Sequence, residues 1–284
     1  MEIFYVLLYA LFIGFYNVFK KLALKKSGET TILVLFATIA FLLSLIWLPF
    51  GMAIPFEFVL ILALKGFLLT LSWFLILKVL KTADLSIVTI TNVLSAVLSF
   101  VLGIVVFNET ADVWQFVGSV IIVVGVACIN LTNRNSKGKI TTIQLVLLLI
   151  SALITTSSNI IDKYTTTYLT SYQVQFWFLL FVFVFSWIFF GFECLQNKKF
   201  LIEKSDFKNY WIYLVGIFLF VGDFMLFMAY KVPNSQMITI SILSKLKIII
   251  TTTAGIFIFK EKNVWKKIVL ALFVLLGTIF ISVF

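Results

Sequence analysis

Long apolar stretches separated by short polar connections run through the whole sequence. A helix needs about 20 apolar residues to cross a bilayer, and unbroken apolar runs lack the alternation of a β-barrel strand. The pattern therefore predicts an all-α integral membrane protein with ten transmembrane helices, near residues 3–19, 31–49, 57–77, 85–107, 112–131, 141–161, 172–191, 210–230, 235–259 and 265–284.

Composition agrees with a chain whose solvent is mostly lipid. Apolar residues make up 62% of the 284 residues, charged residues make up 12%, and the mean hydropathy is +1.16. A soluble domain holds about a quarter charged residues, so a water-facing surface cannot be built from this composition. No basic segment precedes the first apolar run, so we expect a retained helix there instead of a cleaved signal peptide, with no soluble domain attached.

The net charge of +10 comes mostly from basic residues in short loops between the apolar runs, which is typical of a membrane protein with a fixed orientation. The loops after odd-numbered helices hold 17 basic residues. The loops after even-numbered helices hold two, Lys163 and Lys231. The positive-inside rule then places both termini outside a plasma or inner membrane and the odd loops in the cytoplasm. This distribution also argues against nucleic acid as the partner. The 17 residues are Lys20, Lys21, Lys25, Lys26, Lys78, Lys81, Arg134, Lys137, Lys139, Lys198, Lys199, Lys204, Lys208, Lys260, Lys262, Lys266 and Lys267.

The two halves of the chain resemble each other. The segment 81–109 aligns with 231–261 with one two-residue offset, and the segment 17–21 parallels 159–163. A five-helix unit repeated once must come out inverted, because five crossings end on the opposite side. We therefore predict two inverted repeats, 1–134 and 135–284, forming one transport domain. The matched pairs are Gly103 and Gly255, Phe107 and Phe259, Glu109 and Glu261, and Gly125 and Gly277.

These residues carry a family resemblance. The run 83–129, with Phe107-Asn-Glu109, Trp114-x-x-x-Gly118 and Gly125, resembles the second part of an EamA-type repeat, and 231–284 resembles the same part again. This is the ten-helix branch of the drug/metabolite transporter superfamily. The resemblance implies a central cavity enclosed by helices 1–4 and 6–9, and transport by alternating access. Relatives often carry proline within the fourth and ninth helices; here Pro233 only precedes the ninth, so the sequence predicts no proline kink in either.

Four charged residues lie close to the middle of predicted spans: Lys65, Asp223, Lys245 and Lys247. A charge at bilayer depth costs at least about 2.5 kcal/mol, so each should face protein or water. On a regular ninth helix the two lysines share an arc of about 160° with polar residues, as expected where a helix borders a wet cavity. Those neighbours are Ser241, Ser244, Thr251 and Thr252.

These charges predict a cationic pocket for a small polar metabolite, with an anionic one favoured. Asp223 neutralises one lysine and is also the candidate for proton coupling. Organic-phosphate translocators of the same superfamily are similar in carrying adjacent basic residues on the penultimate helix, which are spaced i, i+2 here. The candidate substrate-binding residues are Lys65, Asp223, Lys245, Lys247, Ser244, Asn17, Asn92 and Trp73.

Several alternatives remain open at this stage. Asp223 could be locked to Lys245 or Lys65 as a structural pair, and Lys65 could reach the outer interface. One of the ninth-helix lysines could snorkel or be neutral. In a transporter of cationic or amphipathic compounds, Asp223 and aromatic residues would form the site. Glu109 and Glu261 are expected to cap or tether helices.

Other functional classes fit the sequence less well. The chain has no histidine, which excludes rhomboid-type serine proteases and HExxH metalloproteases, and an aspartyl protease would need a second mid-span aspartate besides Asp223. A channel would favour a symmetric ring of like groups. A non-transporting membrane partner is a further alternative. We expect no enzyme activity, cofactor or metal, a small-molecule substrate, a lipid environment, and a monomer or homodimer.

Overall fold

The computed structural model describes residues 1–107, 112–132, 141–261 and 264–283, and within these ranges it contains helices and no strands. A 3₁₀ turn, Leu45–Trp47, joins the second and third helices. The helices are α1 Glu2–Ala23, α2 Glu29–Ser44, α3 Leu48–Gly51, α4 Phe56–Thr82, α5 Leu85–Thr91, α6 Leu94–Phe107, α7 Val113–Thr132, α8 Thr142–Tyr168, α9 Ser171–Asn197, α10 Tyr210–Lys231, α11 Met237–Leu243, α12 Lys247–Phe257 and α13 Val264–Val283.

Lipid is the solvent for much of this surface. Within the described residues, seven helical segments are long and apolar enough to cross a membrane. Large apolar side chains point outward from them, including Phe4, Leu60 and Ile188, which are 59%, 58% and 44% exposed. The protein is therefore an all-helical membrane protein with several spans. The seven segments are Glu2–Ala23, Glu29–Gly51, Phe56–Thr82, Thr142–Tyr168, Ser171–Asn197, Tyr210–Lys231 and Met237–Phe257.

Two helix starts follow directly from local sequence. Thr141 and Gln144 form a capping box at the start of α8, and Thr170 and Gln173 form another at the start of α9. In each box the threonine hydroxyl accepts from a backbone N–H that has no partner within the helix, and the glutamine side chain accepts from the threonine N–H. Both helices are longer than the predicted spans, and α8 continues past residue 161 to Tyr168.

Breaks interrupt the predicted fourth and ninth helices even though neither contains proline. The fourth is split into α5 and α6 at Asn92 and Val93, and a 3₁₀ turn, Ser244–Leu246, separates α11 from α12. Each was predicted as a single span without a proline kink, and the structure interrupts both spans without a proline. At the first break the Ser95 hydroxyl donates to the Asn92 carbonyl over 2.7 Å, and Thr156 of α8 donates to the Ser95 carbonyl over 3.2 Å. Side-chain hydroxyls thus take up backbone groups near the break.

Glu261 ties the two halves together near one end of the bundle. Its Oε1 accepts from the backbone N–H groups of Leu85 (2.8 Å) and Ser86 (3.4 Å), at the start of α5. Its Oε2 accepts from the fully buried Lys267, which also donates to Asp84 over 2.6 Å. The carboxylate therefore caps a helix of the other half. Glu109, its counterpart in the sequence, lies outside the described residues.

Two glycines allow pairs of helices to pack closely. A Cβ at Gly66 of α4 would lie 2.6 Å from the Phe181 Cβ and 3.1 Å from the Phe181 carbonyl carbon in α9. A Cβ at Gly216 of α10 would lie 2.7 Å from the Ile39 Cγ2 and 3.1 Å from the Phe36 carbonyl oxygen in α2. Small residues at such crossings let backbones approach within van der Waals contact. The main core cluster lies at these crossings, between α1, α2, α4, α9 and α10.

We expect Gly66→Ala to lower the free energy of unfolding by about 1–3 kcal/mol, because a methyl group there collides with backbone atoms that cannot move aside. The matched control is Gly191→Ala in α9, where no atom lies within 4 Å of an added Cβ. Alanine favours the helix over glycine, so this variant should be unchanged or slightly more stable. Unfolding titrations in mixed detergent would measure both, and equal shifts would contradict the close approach.

Candidate functional site

A cavity of about 120 Å³ lies at the centre of the bundle, several times the space that one water molecule needs. Side chains from α1, α4, α8, α10 and both broken helices line it. Four lysines and two aspartates among them leave a formal surplus of two positive charges. These residues are Lys20, Lys65, Asp162, Asp223, Lys245 and Lys247.

One of these lysines forms a buried ion pair across the cavity wall. Lys65 of α4 donates to Asp162 of α8, and their side chains are 1% and 4% exposed. The Lys65 ammonium also lies 3.9 Å from the ring centroid of Phe178 and 4.4 Å from that of Phe227. The pair is locally neutral and enclosed by aromatic faces, which favour a cation. Lys65 therefore does not reach the outer interface, and its partner is not Asp223.

Asp223 is a buried carboxylate with an unused acceptor. The residue is 8% exposed, it lines the cavity, and its Oδ2 has no hydrogen-bond partner. The preceding Gly222 lets α10 approach α1, since a Cβ there would lie 2.8 Å from the Ile13 Cδ1. No lysine forms an ion pair with Asp223 within the described ranges. A buried carboxylate oxygen in this state requires a donor, which a ligand or a proton could supply.

Lys245 lies within the 3₁₀ turn between α11 and α12, and Lys247 is the first residue of α12. Lys245 donates to the Ser95 hydroxyl of α6 over 2.8 Å, next to the other break. The Lys247 ammonium lies 5.7 Å from the centroid of the Tyr9 ring in α1. In the described part of the chain no carboxylate lies within ion-pair distance of either ammonium. The cavity thus holds cations that the protein does not neutralise by direct contact.

Lys20 is a site residue that the sequence prediction assigned to a loop. It belongs to α1, its side chain is 1% exposed, and it lines the cavity with its ammonium 4.2 Å from the centroid of the Tyr16 ring. Asp162 was likewise placed beyond the end of its helix, whereas it lies inside α8. The signal for both was the parallel between 17–21 and 159–163, which puts Lys20 and Asp162 at matching positions.

Most of the predicted site residues come together around the cavity, although their roles in binding stay predictions. Seven of them line the cavity; Ser244 is buried in the 3₁₀ turn and is not a lining residue. The arc drawn on a regular ninth helix is wrong in detail, because the 3₁₀ turn resets the rotation between Ser244 and Lys247. The seven lining residues are Lys65, Asp223, Lys245, Lys247, Asn17, Asn92 and Trp73.

Asp162 was not counted as a mid-span aspartate, but it faces the cavity from α8. Asp162 and Asp223 line the same cavity. An aspartyl protease needs two carboxylates that share a proton, however, and Asp162 is held by the Lys65 ammonium instead. Among the described residues no group of three or more metal-ligating side chains could hold a metal ion.

The protein is all-helical and membrane-spanning, and helices of both halves and two broken helices surround a polar cavity. These features define its class, which is that of polytopic membrane transporters. The EamA-like transporter family model matches residues 1–131 and again residues 142–283, so the chain belongs to the EamA-like transporter family. This confirms the resemblance read from Phe107 to Gly125.

Comparison with solved structures supports the fold alone. A structure described as "Crystal structure of protein" is similar with a TM-score of 0.69 and 13% sequence identity, over 96% of this chain and 98% of that one. No curated protein sequence matches the chain.

Proposed function

We propose that this protein is a secondary transporter that moves a small anionic metabolite across the membrane by alternating access. The observation that carries the proposal is the central cavity, where four lysines face two aspartates and one aspartate is already paired with Lys65. An uncompensated buried charge is costly, so a substrate anion would stabilise the protein when it binds. The cavity lies between the halves, where a rocking motion would expose it to each side in turn.

Reciprocal packing supports two inverted five-helix repeats. Gly66 and Gly216 are 150 positions apart, as are Lys81 and Lys231. Gly66 places α4 against α9, and Gly216 places α10 against α2. In terms of spans, the third span contacts the seventh, and the eighth span contacts the second. The symmetry of an inverted repeat would convert one of these contacts into the other. Joining α2 with α3, α5 with α6, and α11 with α12 gives ten spans divided into 1–134 and 135–284.

The distribution of basic residues supports a plasma or inner membrane location with both termini outside. Lys20 and Lys267 are buried, so they do not act as loop charges. The loops after odd-numbered spans keep their excess without them, since only Lys163 and Lys231 lie in the alternate connections or at their edges. On this topology the start of α5, where Glu261 binds, faces the cytoplasm.

A second candidate function is transport of a cationic or amphipathic compound. The observation that favours it is the Asp223 Oδ2, which is buried without a hydrogen-bond partner. A ligand amine would satisfy that oxygen, and the lysines would then be structural. The two candidates differ in the sign of the charge that the cavity takes up.

The sign can be decided by thermal unfolding of the purified protein with sodium phosphate, citrate and acetate against choline and tetraethylammonium, at constant ionic strength. We expect the anions to raise the unfolding temperature, and Lys247→Gln to weaken this effect about tenfold in apparent affinity, because it removes a cation from the cavity. Lys198→Gln, an exposed charge outside the cavity, is the control. Stabilisation by the cations alone would favour the second candidate.

Carrier and channel are separated by flux in proteoliposomes. A carrier should show saturable uptake of a stabilising anion and counterflow, in which unlabelled anion inside drives labelled anion inward. A linear, non-saturating flux without counterflow would contradict alternating access.

A further inference from the structure

Lys20 has no partner that would account for its burial. Its side chain is 1% exposed, and its ammonium lies over the ring of Tyr16, one turn earlier on α1. Within residues 1–107, 112–132, 141–261 and 264–283 no carboxylate and no hydrogen-bond acceptor pairs with this ammonium. Lys247, which lines the same cavity, carries a charge of the same sign.

Among the described residues, three other buried lysines have a hydrogen-bond acceptor in the protein: Lys65 and Lys267 bind carboxylates, and Lys245 binds only the Ser95 hydroxyl. Lys267 donates to two carboxylates, and Lys65 donates to one. Lys21, the immediate neighbour of Lys20, donates to the Leu80 carbonyl over 2.5 Å and to the Ala83 carbonyl over 2.7 Å. An aromatic face alone is a weak substitute for such partners. The described part of the protein thus gives Lys20 no direct counter-charge, and an anion in the cavity would supply one.

The repeat supports the same conclusion. Lys20 occupies the position in the first half that Asp162 occupies in the second, three residues after a matching asparagine. Both side chains line the cavity, but only Asp162 has an ion-pair partner in the protein. One of two equivalent charges is thus neutralised within the fold, and the other is left facing the cavity.

The surroundings of Lys20 suit an anionic group. Asn17, one turn before Lys20 on the same face of α1, lines the cavity and offers an amide donor. Apolar side chains also line the cavity where α4 ends and α5 begins. They belong to Leu80, Leu85 and Val88. A charge-assisted hydrogen bond from an ammonium to an oxyanion is strengthened in such surroundings.

We propose that Lys20, with Asn17 beside it, is an oxyanion subsite that binds the carboxylate or phosphate group of the substrate at the end of the cavity near Leu80 and Leu85. This inference rests on the proposed function and assigns the anion to a residue of the first helix. Lys65 is excluded from that role because its charge is already neutralised by Asp162.

The test compares Lys20→Met, Lys20→Arg and Lys26→Met, with inorganic phosphate and acetate as probes and chloride at equal ionic strength as the reference. Methionine keeps the apolar stem of lysine against Tyr16 but removes the charge. We expect Lys20→Met to weaken apparent phosphate affinity about tenfold or more in thermal-shift titrations. Lys20→Arg should retain affinity, and Lys26→Met, an exposed change near the end of α1, should behave as wild type.

The ligand-free stability of the variants gives a second readout. Because Lys20 is a buried charge without a carboxylate partner, Lys20→Met should raise the unfolding temperature without ligand, whereas a structural role for Lys20 predicts a loss. Phosphate should also protect Lys20 of the wild type from acetylation by acetic anhydride, as read by peptide mass spectrometry. This measurement needs no variant.

The outcomes separate the two proposals. Equal anion affinity in wild type and Lys20→Met, or no protection of Lys20, would overturn the subsite and leave the anion transporter standing. Stabilisation by choline or tetraethylammonium alone would overturn both.

Discussion

Lys65→Met or Asp162→Asn alone is expected to lower the free energy of unfolding by about 3–5 kcal/mol, because each leaves the opposite charge buried and unpaired. Both side chains are almost fully buried, so water cannot take the place of the lost partner. Lys65→Met should have the larger effect, since it also removes a cation from the faces of Phe178 and Phe227. Unfolding titrations in mixed detergent would measure the losses.

The double variant Lys65→Met/Asp162→Asn distinguishes a pair from two separate contributions. It leaves no buried charge at the site, so it should recover much of the stability lost in each single variant, and the coupling energy of the cycle should be large. Lys78→Met is the matched control on the same helix. Its ammonium also lies over a ring, 4.3 Å from the centroid of Phe74, but the residue is exposed. Additive losses in the double variant would contradict the ion pair.

The helical membrane architecture could be predicted from the sequence because one strong physical signal repeats along it. In hydrocarbon a spanning backbone must satisfy its own hydrogen bonds, so each long apolar run specifies a helix whatever its neighbours are. Helix ends are set by weaker local signals. Capping boxes at Thr141 and Thr170 agreed with the predicted starts, but nothing in the hydropathy showed that α8 continues past Asp162.

Charge pairing could not be read from the spans in the same way. Lys65 and Asp223 both lie deep in their helices, and the sequence alone allowed them to be partners. Which carboxylate Lys65 reaches depends on the rotation and depth of α4 against α8, which tertiary packing fixes. The buried position of Lys20 was hidden for a related reason: a lysine near a predicted helix end looks the same whether it faces water or a cavity.

The helix breaks illustrate a third limit. Proline is the residue from which a helix break is most easily predicted, and both broken helices lack it. Near the first break, the Thr156 hydroxyl of another helix donates to the Ser95 carbonyl, and Lys245 donates to the Ser95 hydroxyl. These contacts are long-range in sequence. A prediction made from each helix alone therefore gives a continuous helix, whereas contacts with neighbouring helices stabilise a break in the folded bundle.

Asp223→Asn is expected to abolish pH-driven accumulation of an anion that stabilises the protein, reducing it to the level of protein-free liposomes. Asparagine keeps the shape of the side chain but can neither take up nor release a proton. Asp223 is placed for that role because it is buried, lines the cavity and has a carboxylate oxygen without a hydrogen-bond partner. Accumulation would be measured with an imposed pH gradient, and counterflow with equal pH on both sides.

Counterflow should survive in Asp223→Asn, because exchange of one anion for another needs the cavity lysines but no net proton movement. Glu57→Gln, an exposed acid at the start of α4, should retain both activities. Intact pH-driven accumulation in Asp223→Asn would remove this carboxylate from coupling, while loss of both activities would assign it to substrate binding. Loss of pH-driven accumulation with retention of counterflow is the one result that supports Asp223 as the proton site. In that case the proton site is separate from the lysines that bind the substrate.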